Sequence, residues 1–136
     1  MMKVLLLNGS PRGEMCTYTA LCEVAKTLNE EGIETEIVSI GTKPIGGCIG
    51  CGACRKAGKC VFGDDDGVNA FVEKAKEADG FIFGAPVHYA SAGGAAASFL
   101  DRVFYSNSSV FAFKPGAAVV SCRRGGASAS LDRLNK

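Results

Sequence analysis

The feature that most constrains this chain is a regular alternation between short apolar runs and longer amphipathic segments. Residues 4–7 form an unbroken apolar run that ends at Asn8-Gly9-Ser10-Pro11, which is typical of a strand buried on both faces. Apolar residues then recur every three or four positions over residues 18–29, which predicts an amphipathic helix. The same two patterns follow each other along the rest of the chain. This alternation predicts parallel strands joined by helical crossovers.

The later elements obey the same rule. The remaining predicted strands are 33–40, 80–85 and 116–121, and the remaining predicted helices are 68–78, 93–104 and one that begins near residue 127. Three aspartates, at 64–66, are suited to cap the helix at 68–78. Between residues 41 and 63, glycines and cysteines are too dense for helix or strand, so we expect an irregular segment there. The prediction is a single α/β domain over residues 1–136, built on a doubly wound open parallel sheet.

The composition and the net charge exclude some classes of function for this chain. Apolar residues make up 47% and charged residues 21% of the chain, which is typical of a globular protein. Fifteen basic and 14 acidic side chains give a net charge of +1, which supplies no basic field for nucleic acid. No apolar run approaches the roughly 18 residues that cross a bilayer, and the N-terminus lacks a signal-peptide pattern. We therefore expect a cytoplasmic protein with no nucleic-acid or membrane partner.

Loops follow the predicted strands at 4–7, 80–85 and 116–121. Sheets of this class bind ligands beyond the carboxyl ends of their strands, so these three loops are the candidate binding site. The first loop carries two hydroxyls, Arg12 and the N–H groups of an opening helix, which are the components of a phosphate site. It lacks the glycine fingerprints of dinucleotide and nucleoside-triphosphate sites. The alternative is a plain connecting loop in which Thr17 only caps the helix.

The other two loops add different chemistry. His88 and Tyr89 lie on a glycine-rich turn after the third predicted strand, where their rings could lie beside a flat ring system. A single histidine in a turn is also typical of a surface hydrogen-bonding residue. The loop after the fourth predicted strand is small, flexible and rich in donors.

Several motifs resemble those of a known family. The chain is similar to the NADPH-dependent FMN reductase family of flavodoxin-like proteins in its motifs Gly9-Ser10-Pro11-Arg12, Cys16-Thr17, Pro86-Val87-His88-Tyr89-Ala90-Ser91 and Phe99-Leu100-Asp101-Arg102. The resemblance covers nearly the whole chain. It departs at His88, where the family usually has tyrosine, and at Ala96-Ala97, where the family usually has a Leu-Lys pair.

The resemblance implies that FMN binds where the three loops meet. The FMN phosphate is assigned to Ser10, Arg12, Cys16, Thr17 and Tyr18. The isoalloxazine is assigned to the second loop, with Pro86, Val87, His88, Tyr89 and Ser91. The third loop contributes Ser121, Arg123, Arg124, Gly125 and Gly126 by position.

The function implied by the resemblance is electron transfer from NAD(P)H through FMN to a small-molecule acceptor such as a quinone or a flavin. No catalytic side chain is expected, because N5 of the flavin carries the chemistry. The alternative is a non-enzymatic electron carrier of the flavodoxin or iron–sulfur flavoprotein type. Such a carrier usually presents an acidic face to its partners, and the net charge of +1 does not favour one.

Length is the largest departure from the family. Its members generally continue to a fifth strand and a final helix, whereas this chain ends inside the helix that follows the fourth predicted strand. We therefore expect a C-terminally shortened member of the family, whose fourth strand is an exposed sheet edge. A partner copy at that edge would make the protein a homo-oligomer, either a dimer or a tetramer.

Four of the seven cysteines lie close together in the irregular segment. Cys48, Cys51, Cys54 and Cys60 have the spacing C-x2-C-x2-C-x5-C, which is close to that of a ferredoxin. The spacing also resembles the compact motif of the iron–sulfur flavoproteins, a branch of the same family. That resemblance implies a 4Fe–4S cluster. The alternatives are four reduced thiols without metal, a zinc site or disulfides.

Overall fold

The computed structural model describes residues 1–63 and 65–136, and its strands form one parallel sheet. The strands are β1 (Lys3–Asn8), β2 (Glu34–Ser39), β3 (Gly80–Pro86) and β4 (Gly116–Ser121). Their order across the sheet is β2-β1-β3-β4, and each neighbouring pair is parallel. The predicted doubly wound α/β fold is therefore confirmed.

Helices connect the strands and cover both faces of the sheet. They are α1 (Cys16–Glu30), α2 (Cys54–Ala57), α3 (Val68–Lys76), α4 (Gly94–Asn107) and α5 (Ala127–Leu134), and a 3-10 turn (Ser108–Val110) follows α4. α1 packs on one face of the sheet, and α3 and α4 pack on the other. Within the described residues, each helix falls short of the length and apolar character that crossing a membrane requires.

The short helix α2 corrects the prediction that residues 41–63 contain no regular structure. The stretch between Gly52 and Gly58 has no glycine and is composed of residues compatible with a helical turn. The N–H of Gly58 donates to the carbonyl of Cys54 at 2.8 Å, and Gly58 has a φ of 71°, a left-handed conformation that ends the helix. One helical turn therefore forms inside the cysteine-rich segment.

The capping prediction for α3 holds at one aspartate. Oδ1 of Asp66 accepts a hydrogen bond from the N–H of Val68 at 3.2 Å. Asp64, which was part of the same prediction, lies outside the described residues. The side chain of Asp66 therefore fixes the start of α3, and it also pairs with Arg102.

β1 is at the centre of the hydrophobic core because successive side chains of a strand point to opposite faces. Leu5 and Leu7 belong to the cluster that includes Phe99 of α4. Leu6 belongs to the cluster on the other face with Leu21 of α1. All three leucines of β1 are fully buried. This confirms the predicted burial of β1 on both faces.

β2 is a half-exposed strand. Its two terminal residues are exposed, and its four central residues are partly buried. Glu36 of β2 pairs with Lys74 of α3 and, at 3.0 Å, with Lys3 of β1. These two partners lower the pKa of Glu36.

A glycine in β3 lets α1 approach the sheet closely. A Cβ atom at Gly84 would lie 2.8 Å from Cδ1 of Leu21 and 3.0 Å from Cγ2 of Thr17. The close approach brings the first turn of α1 beside the end of β4, where the hydroxyls of Thr17 and Ser121 are 2.8 Å apart. The packing of α1 therefore joins the first and third predicted loops.

β4 is a sheet edge, as the sequence predicted. In the sheet formed by the described residues, β4 pairs with β3 and has no strand on its other side. An open groove beside it is lined in part by Phe81, Phe83 and Phe111. The rings of Phe81 and Phe111 have centroids 4.6 Å apart, so this face of the edge is aromatic.

We expect the chain to self-associate through β4, because an edge strand presents unpaired N–H and C=O groups. Ala117→Lys places a charge on an exposed position of this edge and should lower the extent of association. Ala70→Lys adds the same charge on the exposed surface of α3 and should have no effect. Light scattering over a concentration series measures the mass of each protein. A monomer at every concentration of the unsubstituted chain would contradict the prediction.

Candidate functional site

A cleft of about 330 Å³ lies beyond the carboxyl ends of β1, β3 and β4. Each of the three predicted loops contributes to it, since its lining is Ser10, Arg12, Met15, Cys16, Thr17, Pro86, Val87, His88, Ser121, Cys122 and Arg123. Met15 and Cys122 were not predicted, although each is adjacent in sequence to a predicted residue. The cleft is at the point where the strand order reverses between β1 and β3, which is where this fold class binds ligands.

The buried side chain of Asn8 organises the first loop. Its Nδ2 donates to the carbonyl of Gly13 at 3.1 Å and to Oγ of Ser39 at 3.2 Å. Its Oδ1 accepts the N–H of Ser10, and Oγ of Ser10 accepts the N–H of Arg12, both at 3.2 Å. Asn8 was not among the predicted site residues. The available signal was a polar residue at the end of a fully apolar strand.

The first turn of α1 offers backbone donors to the cleft. Met15 precedes the helix, and among the described residues no side chain caps it. Thr17 does not act as the cap, because its hydroxyl contacts Ser121 instead, so the capping role that the alternative interpretation gave to Thr17 is not observed. The turn contains no acidic residue, and the exposed side chain of Arg12 lies in the same lining. Free N–H groups, the helix dipole and a guanidinium together favour an anion, so these residues fit a phosphate.

The second and third loops are packed against each other through Gly126. A Cβ atom at Gly126 would lie 2.8 Å from Cγ1 of Val87 and 2.8 Å from the carbonyl carbon of Ala90. Gly126 has a φ of 92°, a conformation that side chains disfavour. The N–H of Val87 also donates to the carbonyl of Ser121 at 2.9 Å. The two loops therefore form one wall of the cleft.

The remaining predicted residues lie outside the lining of the cleft. They are Tyr18, Tyr89, Ser91, Arg124, Gly125 and Gly126. Tyr89 is 93% exposed. A hydrogen bond with Cys22, supported by the charges of Cys22 and Glu14, raises the pKa of Tyr18. The roles of these six residues toward a ligand stay predictions.

The four clustered cysteines line a second, separate cavity. Its lining is Cys48, Ile49, Cys51, Gly52, Cys54, Cys60, Val61, Phe62, Arg102, Tyr105 and Ser106. Within the described residues, no three His, Cys, Asp or Glu side chains are grouped to hold a single metal ion. A 4Fe–4S cluster has a different requirement, because each of its four thiolates binds a different iron. The cavity, about 20 Å³ in volume, is lined by four free thiols, which is the number and kind of ligands that such a cluster takes.

Arg102 is a buried cation in the wall of this cavity. Its side chain is 1% exposed, and its Nε donates to Sγ of Cys60 at 3.3 Å. Its Nη1 donates to the carbonyl of Gly46 at 3.3 Å and pairs with the carboxylate of Asp66. Burial opposes the charge, but the bonds to Cys60 and Asp66 outweigh burial and raise the pKa of Arg102.

One nitrogen of the Arg102 guanidinium, Nη2, differs in its surroundings from the other two. Nη2 of Arg102 is buried and has no hydrogen-bond partner in the part of the chain that the structure describes. A buried donor without an acceptor is unfavourable. An acceptor-rich group in the adjoining cysteine cavity, such as the sulfides of an iron–sulfur cluster, would relieve this cost. The chemistry of the donor set therefore fits such a cluster.

The backbone of Cys60 is fixed independently of its sulfur. Its N–H donates to Oδ1 of Asn69 at 3.0 Å, and its carbonyl accepts from Nδ2 of Asn69 at 2.8 Å. Asn69 lies on α3, while Arg102 lies on α4. Two helices of the core therefore hold Cys60 in place.

The fold and the position of the cleft define a flavodoxin-like protein. The profile described as NADPH-dependent FMN reductase matches residues 2–135. The chain therefore belongs to the NADPH-dependent FMN reductase family, as its motifs predicted. A solved structure of an NADH:FMN oxidoreductase in its apo form has the same fold, with a TM-score of 0.70 and 18% identity. That likeness covers 100% of this chain and 66% of the other chain.

Curated relatives place the chain in the predicted branch of the family. An iron–sulfur flavoprotein of Methanocaldococcus jannaschii is 42% identical over 101 residues, which are 74% of this chain and 51% of that protein. An iron–sulfur flavoprotein of Methanosarcina thermophila is 36% identical over 141 residues, covering 98% of this chain and 71% of that protein. The chain spans about half the length of most of the curated relatives it matches.

Gly126→Ala should destabilise the protein, since the new Cβ would clash with the second loop and the residue would keep a positive φ. We expect a loss of about 1–3 kcal/mol in the free energy of unfolding, measured by denaturant titration. The neighbouring Gly125→Ala is the matched control, because a Cβ there meets nothing within 4 Å, and its effect should stay within about 0.5 kcal/mol. Equal losses in both variants would show that Gly126 does not hold the two loops together.

Proposed function

We propose that this chain is the FMN-binding unit of an NAD(P)H oxidoreductase, which passes electrons from reduced nicotinamide through FMN to a quinone, a flavin or a similar small-molecule acceptor. The observation that carries this proposal is the cleft where the uncapped start of α1 and Arg12 face the loops after β3 and β4. The family membership supports the same cofactor. Bound FMN supplies hydride and single-electron transfer, and the chain supplies binding and orientation.

The residues of the cleft divide by chemistry into two groups. The N–H groups of the first turn of α1 hold the phosphate together with Arg12, and Ser10 keeps the loop that carries Arg12 in place. Pro86, Val87 and His88 form the side of the cleft that takes the isoalloxazine. The contact of Val87 with Gly126 keeps that side fixed against the third loop.

The first prediction from this assignment concerns Arg12. Arg12→Ala removes a charge-assisted contact with the phosphate and should weaken FMN binding by about 1.5–3 kcal/mol, or roughly 10- to 150-fold. Riboflavin lacks the phosphate, so its affinity should not change. Fluorescence titration measures both dissociation constants.

The control for that experiment is Arg133→Ala, which removes another exposed arginine, one that pairs with Asp101 outside the cleft. It should leave the affinities for FMN and riboflavin unchanged. If Arg12→Ala weakened FMN and riboflavin equally, Arg12 would not be a phosphate ligand.

A second candidate function is electron transfer without an enzymatic turnover of its own. The observation that favours it is the cavity lined by Cys48, Cys51, Cys54 and Cys60, which we propose holds a 4Fe–4S cluster. The curated relatives are named iron–sulfur flavoproteins, which supports the same cluster. Steady-state oxidation of NADPH with excess quinone separates the two functions, because a carrier would show no sustained turnover.

The two proposed sites are connected by one helix. α4 begins at Gly94, directly after the second loop of the cleft, and its later turns carry Arg102 and Tyr105 to the cysteine cavity. The N–H of Gly93 donates to the carbonyl of Pro86 at 2.8 Å, which ties the start of α4 to the cleft. This arrangement supports a function in which electrons pass between flavin and cluster.

We also propose a homo-oligomer, a dimer or a tetramer, that works in the cytoplasm. The open edge of β4 supports the oligomer, because a second copy would satisfy its unpaired backbone groups. The seven free cysteines support a reducing compartment. The mass of the protein in solution tests the first part of this proposal.

The proposed cluster predicts the iron and sulfide content of the protein. Anaerobically prepared protein should contain about four irons and an equal amount of sulfide per chain, and Cys54→Ser should strip or destabilise the cluster. FMN should stay bound, because its cleft lies at different loops. Iron, sulfide and flavin are measured by chemical analysis and absorbance.

Cys22→Ser is the matched control for the cluster experiment, since Cys22 lies on α1 outside the cysteine cavity. It should keep both iron and flavin. Protein free of iron, with four titratable thiols in the segment and FMN still bound, would overturn the cluster proposal and leave the flavin proposal intact. Loss of FMN from Cys54→Ser would contradict the separation of the two sites.

A further inference from the structure

We propose that Arg102 is a positioning residue that sets the reduction potential of the cluster held by the four cysteines. This inference rests on the proposed cluster and goes beyond it, because it assigns a redox role to a residue that binds no iron. It begins from one contact, the hydrogen bond from Nε of Arg102 to Sγ of Cys60. It extends to the buried Nη2, which has no acceptor among the described residues.

The structure fixes this guanidinium in a single place. Nη1 is held from two directions, by the carbonyl of Gly46 and by the carboxylate of Asp66. The ring of Phe62 covers the guanidinium, with its centroid 5.6 Å from Cζ. Gly46 precedes the cysteine motif in the chain and Asp66 follows it, so Arg102 holds both ends of the segment at once. A cation fixed in this way keeps its distance from the cavity constant.

A buried positive charge beside the cluster stabilises the reduced state of the cluster more than its oxidised state. One-electron reduction adds a unit of negative charge, and in a site of low dielectric a fixed positive charge stabilises that addition. Hydrogen bonds to the sulfur atoms of a cluster act in the same direction. Arg102 supplies both effects, through its charge and through its bond to Cys60. Its presence should therefore raise the reduction potential.

Asp66 carries a negative charge directly beside the positive charge of Arg102. Its carboxylate pairs with Arg102, and its Oδ1 also accepts the N–H of Val68. Removal of either charge breaks the same ion pair. A purely structural role for the pair predicts the same disturbance from both removals. A redox role predicts opposite shifts, because one variant loses a positive charge and the other loses a negative charge.

The experiment compares Arg102→Gln with Asp66→Asn in the full chain after anaerobic reconstitution with iron and sulfide. Each potential is measured by a redox titration that follows the cluster absorbance, and iron is counted in the same samples. We expect Arg102→Gln to shift the potential to more negative values and Asp66→Asn to shift it to more positive values. Arg102→Lys keeps the charge but not the forked donor geometry, so its potential should lie between those of Arg102→Gln and the unsubstituted chain.

Lys26→Gln is the control, since it removes an exposed positive charge from α1, which packs on the opposite face of the sheet from α4, and should not move the potential. If Arg102→Gln does not fold, the positive shift in Asp66→Asn carries the test alone. Potentials that are unchanged, or that shift in one direction in both variants, overturn the role of Arg102 and leave the cluster standing. An unsubstituted chain that takes up no iron and sulfide overturns the proposed cluster and this inference with it.

Discussion

The burial of β1 on both faces is the constraint on which the rest of the structure depends. A strand covered by α1 on one side and by α3 and α4 on the other must lie inside the sheet, so β2 and β3 flank it. The chain leaves β1 at Asn8. The crossover from β1 to β2 runs on one side of the sheet, and the crossover from β2 to β3 runs on the other side. That reversal opens the crevice at the carboxyl end of β1. The polar side chain of Asn8 at that point braces the loop that borders it.

The sequence predicts the elements better than their contacts, for physical reasons that particular residues show. Hydrophobic periodicity is a local property, and it correctly predicted the strands β1 and β2 and the burial of β1 on both faces. The turn of α2 escaped prediction because the dense glycines around it mask a short helical stretch. The closeness of Gly126 to Val87 could not be predicted, because it depends on how two loops distant in the chain pack. The resemblance to the family predicted most of the residues that line the cleft, but it did not predict the distances between them.

Arg102, in the wall of the cysteine cavity, also shows that sequence patterns do not predict contacts between residues distant in the chain. Its motif was recognised in the sequence, yet its partners Cys60 and Asp66 lie 42 and 36 positions away in the chain. Only the packing of α4 against α3 and the cysteine segment brings them together. The same packing connects the two sites, because α4 starts at the wall of the cleft and passes the cysteine cavity.

The energetics of Arg102 support our proposal of a cluster in the cysteine cavity. A buried ion pair repays its desolvation only when the remaining donors are satisfied, and an apolar replacement is often equally stable. The pair of Arg102 and Asp66 leaves Nη2 without an acceptor among the described residues, at a cost of about 1–3 kcal/mol. The bond from Nε to Cys60 meanwhile directs the cation toward a sulfur atom and not toward solvent. The guanidinium stabilises the segment through Gly46 and Asp66, and the cluster that we propose would in addition give Nη2 an acceptor and would place a sulfur centre beside the positive charge.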